Sequence, residues 1–238
     1  MESDVKLTHP SPVRTYNARQ GRITALTSGT IERLWQRFGV DIDDDAALDL
    51  TAVFGPDVPV VLEIGCGMGT ATAVMAADRP DIGILAVDVH TRGVSRLLQR
   101  VEDQGLDNVR VARGDAVRLL SGRFGPGSLA GIRIYFPDPW PKARHLKRRL
   151  VQPAFASLAA TRLRPGGLLH CATDWQPYAE QMLAVLDAEP ALANVGEGFV
   201  ERPSWRPVTP FEQQGLAAGR RVHDLLHVRV GLTGSNGA

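Results

Sequence analysis

Short apolar runs alternate with stretches of helical spacing from position 58 onward, and this alternation limits the possible folds more than any other feature of the sequence. The apolar runs read VPVVLEI, IGILAVD, NVRVARGD, LAGIRIYFPD and LLHCATD. The segments between them, such as TRGVSRLLQRVEDQG and LKRRLVQPAFASLAATRL, have the spacing of helices. Strands that alternate with helices predict βαβ units, and therefore an α/β fold with a doubly wound, mostly parallel sheet covered by helices on both faces. A further helix is predicted upstream, over residues 30–38.

The chain has the size and composition of one soluble domain. Its 238 residues are 44% hydrophobic and 22% charged, which is enough to bury a substantial core. We expect a flexible basic segment over residues 1–27, a single domain over residues 28–232 and a disordered tail over residues 233–238. From the polar N-terminal residues we expect no secretory signal, and no apolar run approaches the roughly 20 residues that span a bilayer. Cys66 and Cys171 form no metal-type pair and are predicted to be reduced thiols, as in a cytoplasmic protein without a metal.

An acid stands in or beside the end of every apolar run: Glu63, Asp88, Asp115, Asp138 and Asp174. Ligands of such folds bind at the carboxyl ends of the strands, so these acids are expected to surround one crevice. A crevice lined by carboxylates suits a cation or polar hydrogens and disfavours a pyrophosphate. Asp115 and Asp174 each precede a helical segment, however, and could instead cap those helices.

The first strand leads into a glycine-rich turn, EIGCGMGT, with Gly65, Gly67 and Gly69 before a helix. A glycine triplet in this context also fits dinucleotide-binding proteins. Glu63 would face the phosphates of a dinucleotide, whereas S-adenosylmethionine has no phosphate and carries a sulfonium and an ammonium charge. The methyl donor is therefore favoured. Asp88, about twenty residues on, is placed to accept hydrogen bonds from ribose hydroxyls, and Asp115 lies where the adenine amino group would point.

The stretch FPDPWPKARHLKRR combines a fixed acid with the densest basic cluster of the chain. Pro137 and Pro139 restrict the backbone on either side of Asp138, which follows the fourth strand and should lie near the transferred methyl group. The basic cluster follows at once. Such a run is often only a solvated face, but its position beside the crevice favours a footprint for phosphates. Net charge is only +1, so affinity for nucleic acid must come from local clusters of this kind.

These motifs together resemble the bacterial tRNA (guanine-N7-)-methyltransferase family. The resemblance covers most of the chain, from RTYNARQGRIT through EIGCGMG, VDVHTRG, GDA, FPDPWPKARHLKRR and TDW to RPVTPFEQQGLAAGRRVHDL. The proline-rich loop and the TPFE segment are specific to that family. It implies a seven-stranded Rossmann-like methyltransferase sheet, S-adenosyl-L-methionine as cofactor, and methylation of a guanine in the variable loop of tRNA to 7-methylguanosine. The sequence departs from the family's usual pattern at Asp88, where glutamate is common, and at Arg220, where histidine is common.

The resemblance also assigns roles to individual residues. It implies cofactor contacts for Glu63, Asp88, Asp115 and Asp138, with Asp138 also at the catalytic position. The implied contacts with the substrate guanine and tRNA are Lys142, Arg144, His145, Leu146, Lys147, Arg148, Arg149, Asp174, Thr209, Pro210, Phe211 and Glu212. From the residues alone, TPFEQQG reads as a helix start, with Thr209 as N-cap and Glu212 three positions later.

Several alternatives remain open from the sequence. They are another methyltransferase of the same fold acting on RNA, a nicotinamide-dependent oxidoreductase with a similar sheet, and a non-catalytic RNA-binding module. The sequence is compatible with a monomer or a homodimer.

Overall fold

The computed structural model of the protein describes residues 14–17, 23–42 and 46–231. A single mixed sheet of eight strands crosses the molecule in the order β1-β4-β3-β2-β5-β6-β8-β7. The strands are β1 (Gly39–Val40), β2 (Val60–Ile64), β3 (Gly83–Asp88), β4 (Val109–Arg113), β5 (Leu129–Tyr135), β6 (Leu163–Thr173), β7 (Leu192–Asn194) and β8 (His223–Arg229).

Parallel pairing joins the first six strands of this order, from β1 to β6. Strand β8 then runs antiparallel to β6, and β7 antiparallel to β8. The predicted doubly wound, mostly parallel sheet is confirmed, but it has eight strands where seven were expected. The additional strand is β1, a two-residue edge strand paired with β4. Two residues are too short for any periodic signal, so the sequence could not reveal it.

Eight α-helices and one 3₁₀-helix connect the strands in the described part of the chain. The α-helices are α1 (Ala25–Phe38), α2 (Leu50–Phe54), α3 (Thr70–Asp78), α4 (Thr91–Gln104), α5 (Ala116–Gly122), α6 (Pro153–Arg162), α7 (Gln176–Asp187) and α8 (Pro210–Ala217), and the 3₁₀-helix is Ala143–Arg148. Helix α4 shows why they form: Val94, Leu97, Leu98 and Val101 share one buried face, and Gly105 ends it in the left-handed conformation. None of these helices is long and apolar enough to cross a membrane.

Two hydrophobic clusters cover the two faces of the sheet. Consecutive strand residues alternate between them: Leu85 belongs to the cluster that contains the buried side chains of α5, α6 and α7, whereas Ile84 and Ala86 belong to the cluster with α1, α3 and α4. Because both faces are buried, the central strands read as continuous apolar runs and not as alternating ones. The sheet is therefore a rigid platform whose strand ends are fixed.

The structure corrects several predicted boundaries. Helix α1 begins at Ala25, five residues earlier than predicted, after Thr24 caps its first turn. The single helix predicted over LKRRLVQPAFASLAATRL is wrong: the chain is extended at Gln152 and α6 begins at Pro153. Proline disfavours the helical conformation in the residue before it and suits the first helical position, so it separates the two helices. Strand β6 begins at Leu163 and includes the RPGG segment that was predicted to follow a helix as its stop.

The predicted segment boundaries fall partly outside the described residues. Of the N-terminal segment over residues 1–27, positions 1–13 and 18–22 are outside that range, and the C-terminal tail over residues 233–238 lies wholly outside it.

Candidate active site

A cleft of about 380 Å³ opens at the carboxyl ends of the parallel strands. Four of the five predicted strand-end acids line it, namely Glu63, Asp88, Asp115 and Asp138. The N-terminal residues Thr15 and Tyr16 and the start of α8 complete the wall. The structure thus brings together acids that are separated by up to 75 positions, as parallel strands require.

The glycine turn after β2 forms the floor of this cleft. Gly65, Gly67 and Gly69 all have positive φ angles, which glycine adopts without strain. A side chain at Gly65 or Gly67 would meet no protein atom within 4 Å, so both positions leave open space. At Gly69, in contrast, a Cβ would lie 2.5 Å from the Leu97 side chain. The first two glycines therefore keep the backbone accessible, and the third allows α3 and α4 to pack closely.

Glu63 is almost fully buried below that turn, at 3% exposure. Burial raises the pKa of its carboxyl group, although the nearby Thr72 hydroxyl and the Arg133 guanidinium oppose the shift. Its Oε2 atom and the Thr72 hydroxyl each have no hydrogen-bond partner among the described residues. A buried carboxylate with an unsatisfied oxygen favours a ligand that brings positive charge or polar hydrogens. This feature fits the cationic S-adenosylmethionine.

Asp88 holds the glycine turn from the end of β3. Its Oδ2 accepts a hydrogen bond of 2.8 Å from the Gly67 amide, and its Oδ1 accepts one of 2.8 Å from the His90 amide. Burial raises the pKa of Asp88, and these two hydrogen bonds partly offset the effect. Each carboxylate oxygen can accept a second hydrogen bond, so the same group can also receive ligand hydroxyls.

Helix capping was an alternative interpretation for Asp115 and Asp174, and it is right for the first and wrong for the second. Asp115 is the N-cap of α5, and its Oδ1 accepts from the amides of Val117 and Arg118. Asp174 caps no helix, since α7 has Trp175 at its N-cap position without a side-chain hydrogen bond. Its Oδ2 instead accepts 2.7 Å from the Nε of Arg220. Asp174 is not among the residues that line the cleft.

The proline-rich loop after β5 brings Asp138 over the cleft. Two neighbours, Phe136 and Trp140, adopt positive φ angles of 53° and 42°. Such conformations cost on the order of 1–3 kcal/mol each for non-glycine residues and are concentrated at functional sites. Asp138 accepts a hydrogen bond of 2.9 Å at Oδ2 from the Asn17 amide, and Trp140 donates from Nε1 to the Thr15 carbonyl over 3.1 Å. Residues 14–17 thus cross the loop and contact its acid.

The basic cluster that follows this loop divides into two parts. Lys142, Arg144 and Lys147 are exposed, as is Leu146, and the cation of Arg148 lies 5.0 Å from the centre of the Trp140 ring. His145 packs edge-on against the same ring. Partial desolvation and the neighbouring cations lower the pKa of His145. We call this group of neighbouring residues the basic face (Lys142–Arg148).

Arg149 differs from the other residues of the basic cluster because it is only 4% exposed. Its guanidinium points inward and donates to the carbonyls of Pro139 and Pro177 and to the side chain of Gln181. The expectation of a tRNA contact at Arg149 therefore does not match where the structure places this side chain.

The C-terminal TPFE segment forms the opposite wall. Thr209 is the N-cap of α8, as predicted, because its Oγ1 accepts from the Glu212 amide over 3.1 Å. Pro210 and Phe211 line the cleft, and Phe211 is 62% exposed. Glu212 was expected to contact substrate, yet its side chain is buried and paired with Arg206.

Sequence reasoning missed a buried charged network behind this wall. Arg206 is fully buried and donates to both oxygens of Asp224, over 2.7 and 2.8 Å, as well as to Glu212. Asp224 also contacts His170, 2.8 Å away, and His170 contacts the Tyr135 hydroxyl. Burial alone would raise the pKa of Asp224, but the bonds from His170 and Arg206 hold it below its ordinary value. We call this set the Arg206 network.

The fold and the acidic cleft define the chain as a Rossmann-like methyltransferase. Among solved structures, it resembles the antibiotic-resistance methyltransferase Kmr, with a TM-score of 0.54, 19% identity and coverage of 77% of this chain and 92% of that chain. The aminoglycoside resistance methyltransferase NpmB1 gives a TM-score of 0.51, 13% identity and coverage of 76% and 92%. These likenesses establish the fold. A family model described as "Putative methyltransferase" matches residues 57–225.

Curated relatives give the family within this class. The tRNA (guanine-N(7)-)-methyltransferase of Streptomyces avermitilis is 58% identical over 220 residues, covering 92% of this chain and 76% of the relative. The protein of the same name from Acidovorax sp. is 49% identical over 221 residues, covering 93% and 88%. The chain belongs to the tRNA (guanine-N7-)-methyltransferase family, whose methyl donor is S-adenosyl-L-methionine.

Proposed function

We propose that this protein transfers a methyl group from S-adenosyl-L-methionine to N7 of a guanine in the variable loop of tRNA, forming 7-methylguanosine. The observation that carries the proposal is the junction of an acidic cleft with an exposed basic face. Asp138 lies in the cleft, and the basic face begins four residues later at Lys142. The printed names of relatives that cover more than nine-tenths of this chain support the same substrate.

The acids on β2, β3 and β4 would hold the cofactor. Glu63 offers its unsatisfied oxygen to positive charge, and Asp88 and Asp115 offer carboxylate oxygens at the neighbouring strand ends. Gly65 and Gly67 leave the backbone open to close approach, while Gly69 packs the following helix. The bound cofactor supplies an electrophilic methyl group on a sulfonium. A pyrophosphate, as in nicotinamide cofactors, would meet the buried Glu63 carboxylate, so nothing in the cleft favours the oxidoreductase alternative.

The acceptor chemistry explains why an acid stands where no base is needed. Guanine N7 has an in-plane lone pair and no proton, so alignment of the reactants should provide most of the acceleration. Positive charge moves onto the guanine ring during transfer. We assign to Asp138 the role of accepting hydrogen bonds from the N1 and N2 hydrogens of guanine, which stabilises that charge. Asp174 would assist from outside the cleft, and Lys142 would hold a phosphate or a guanine oxygen.

The wall formed by α8 would shape the guanine pocket. Thr209 and Pro210 fix the start of the helix at the cleft, and Phe211 presents an exposed ring there. An aromatic face next to a base suits stacking, which is worth about 1–3 kcal/mol per base in other complexes. Glu212 would support this wall from behind through its ion pair with Arg206.

The basic face would bind the tRNA backbone. Lys142, Arg144, Lys147 and Arg148 carry cations at or near the surface, with His145 and Leu146 between them. Contacts of this kind position the nucleic acid without reading its sequence, and their strength depends on salt. Because the substrate is tRNA, we place the enzyme in the cytoplasm.

The test is to map the product. Unmodified tRNA is incubated with the protein and cofactor labelled in its methyl group, and the labelled nucleoside is identified after digestion and located by chemical cleavage at 7-methylguanosine. We expect one labelled site in the variable loop. A matched tRNA with 7-deazaguanosine at that site, which lacks only the N7 lone pair, should accept no label. Label at another atom or base, or equal labelling of the deaza substrate, would contradict the proposal.

A further inference from the structure

Two adjacent arginines of the same basic stretch have opposite environments. The Arg148 cation packs over Trp140 at the surface, 5.0 Å from the ring centre. The Arg149 side chain turns into the protein and is 4% exposed. A phosphate could reach Arg149 only if this side chain left its present partners. The run of charges in the sequence therefore contains two different kinds of residue.

The partners of Arg149 belong to two separate elements. Its Nε donates 2.9 Å to the carbonyl of Pro139, the residue directly after Asp138. Its Nη1 donates to α7, reaching the Pro177 carbonyl at 3.2 Å and Gln181 Oε1 at 2.6 Å. The guanidinium also lies 4.8 Å from the ring centre of Tyr178, which is fully buried in α7. Arg149 thus connects the loop of Asp138 to a packed helix.

The loop needs such a connection because of its own composition. Pro137, Pro139 and Pro141 have no backbone N–H, so the loop cannot be held by a regular ladder of hydrogen bonds. Its carbonyl groups must find donors elsewhere. Phe136 anchors the loop at its start by donating from its amide to the Ala172 carbonyl. Beyond Asp138, the Pro139 carbonyl is held by the Arg149 side chain.

The type of residue fits this task. Within the described residues Arg149 forms no ion pair, and all its hydrogen bonds go to neutral acceptors. Burying a cation without a counter-charge is costly, and desolvation accordingly lowers the pKa of Arg149. The planar fork of an arginine can reach acceptors on two elements at once, which the single ammonium of a lysine cannot do in the same geometry.

We propose that Arg149 is a positioning residue that fixes Asp138 over the cleft by tying the Pro139 carbonyl to α7, and is not a tRNA contact. The expected effect on the rate of methyl transfer rests on the proposed function. The hydrogen bonds from Arg149 to the Pro139 carbonyl and to α7, here called the tie, are present without substrate. Displacement of a reacting group by about 1 Å can lower a rate by on the order of 10²-fold. Loss of the tie should therefore appear in the chemical step.

The test compares Arg149→Lys, which keeps the charge, with Arg148→Ala. For Arg149→Lys we expect single-turnover methyl transfer at saturating tRNA and cofactor to fall by about 10- to 100-fold. Its affinity for tRNA and the salt dependence of that affinity should equal those of the parent. Arg148→Ala should show weaker tRNA binding and a salt slope smaller by about one unit. Parental rate with a reduced salt slope in Arg149→Lys would overturn the proposal.

A second readout does not depend on activity. Hydrogen exchange of the peptide spanning residues 136–142, measured on the free protein, should be faster in Arg149→Lys and unchanged in Lys147→Ala, which alters an exposed residue of the basic face. Gln181→Ala, which removes one acceptor on α7, should give a smaller increase and keeps the proposal testable if Arg149→Lys folds poorly. Parental exchange in both Arg149→Lys and Gln181→Ala would refute the tie. Faster exchange in an enzyme that makes no 7-methylguanosine would refute only the proposed function.

Discussion

The two sides of the cleft are built in different ways. On the side of β2, β3 and β4, the acids stand at or beside the ends of strands, and two of the three are held by backbone amides nearby. Asp88 accepts from His90 and Gly67, and Asp115 accepts from Val117 and Arg118. We call this the cofactor side. On the side of Asp138 and α8, here called the substrate side, the parts are irregular loops and a short helix.

Buried arginines hold the substrate side together. Arg206 joins the start of α8 to β8 through Glu212 and Asp224, and Arg149 joins the Asp138 loop to α7. The comparison shows that strand ends need little further support, because the sheet fixes them. A loop with three prolines and a helix of eight residues need side chains from distant parts of the chain. Substitutions should therefore affect the two sides differently.

The largest effect should follow removal of the central cation of the Arg206 network. Arg206→Met leaves the buried Glu212 and Asp224 carboxylates without their main counter-charge, a change that costs about 3–5 kcal/mol in other proteins. We expect the free energy of unfolding in urea to fall by that amount. Arg202→Ala is the control, because the Arg202 side chain is 42% exposed and its contact with Glu212 is long, at 3.8 Å. Loss of this contact should lower the free energy of unfolding by less than about 1 kcal/mol. Equal effects of the two changes would contradict the network's importance.

Asp138→Asn should give the next largest effect. It preserves shape but removes the negative charge opposite the ring on which positive charge develops. Single-turnover methyl transfer should fall by about 10²- to 10³-fold, equivalent to about 2.7–4 kcal/mol. Since N7 has no proton to remove, the rate of the parent should not rise with pH as it would if Asp138 were a general base. A near-parental rate in the variant would leave Asp138 as a residue that only shapes the loop.

On the cofactor side, affinity for the cofactor should depend on pH. Burial raises the pKa of Glu63 above its ordinary value of 4.5, so this carboxyl group in the empty site stays protonated to a higher pH than a carboxyl group in water does. A cationic ligand favours the ionised form. Binding should therefore release a proton, and affinity should increase with pH by up to about tenfold per unit until the raised pKa is passed. Calorimetry in buffers of different ionisation enthalpy measures this release. Glu63→Gln should reduce it, and a proton release unchanged in that variant would assign the effect to Asp88.

The smallest predicted effect concerns the basic face. Lys147→Ala combined with Arg148→Ala should lower the slope of log affinity for tRNA against log salt by up to about one unit for each lost contact. Arg79→Ala is the control, because it also removes a surface cation, but one that pairs with Asp81 and does not line the cleft. If the double variant kept the parental slope, the basic face would be only a solvated surface.

The cofactor side could be predicted from the sequence almost residue by residue. Its strands, its glycine turn and its acids follow one another in successive βα units that local patterns mark, and the Asp115 cap follows from such a pattern. The support of the substrate side was not predicted. Arg206 and Asp224 are 18 positions apart, and Asp224 and His170 are 54 apart, with no motif to connect them. A run of basic letters likewise does not show which arginine is buried, so Arg149 was grouped with the surface cations.

The division of the cleft into two sides is tested most directly by measuring the affinities for cofactor and for tRNA in variants of each side. Cofactor and tRNA dissociation constants are determined for the parent, for Glu63→Gln, for the Lys147→Ala, Arg148→Ala double variant, and for the combination of all three. We predict that Glu63→Gln weakens only cofactor binding and that the double variant weakens only tRNA binding. The combined variant should show both losses, each of the same size as in the separate variants, as expected for sites that do not interact. If Glu63→Gln alone, or the double variant alone, weakened the binding of both cofactor and tRNA, the result would contradict a cleft with separate cofactor and substrate sides.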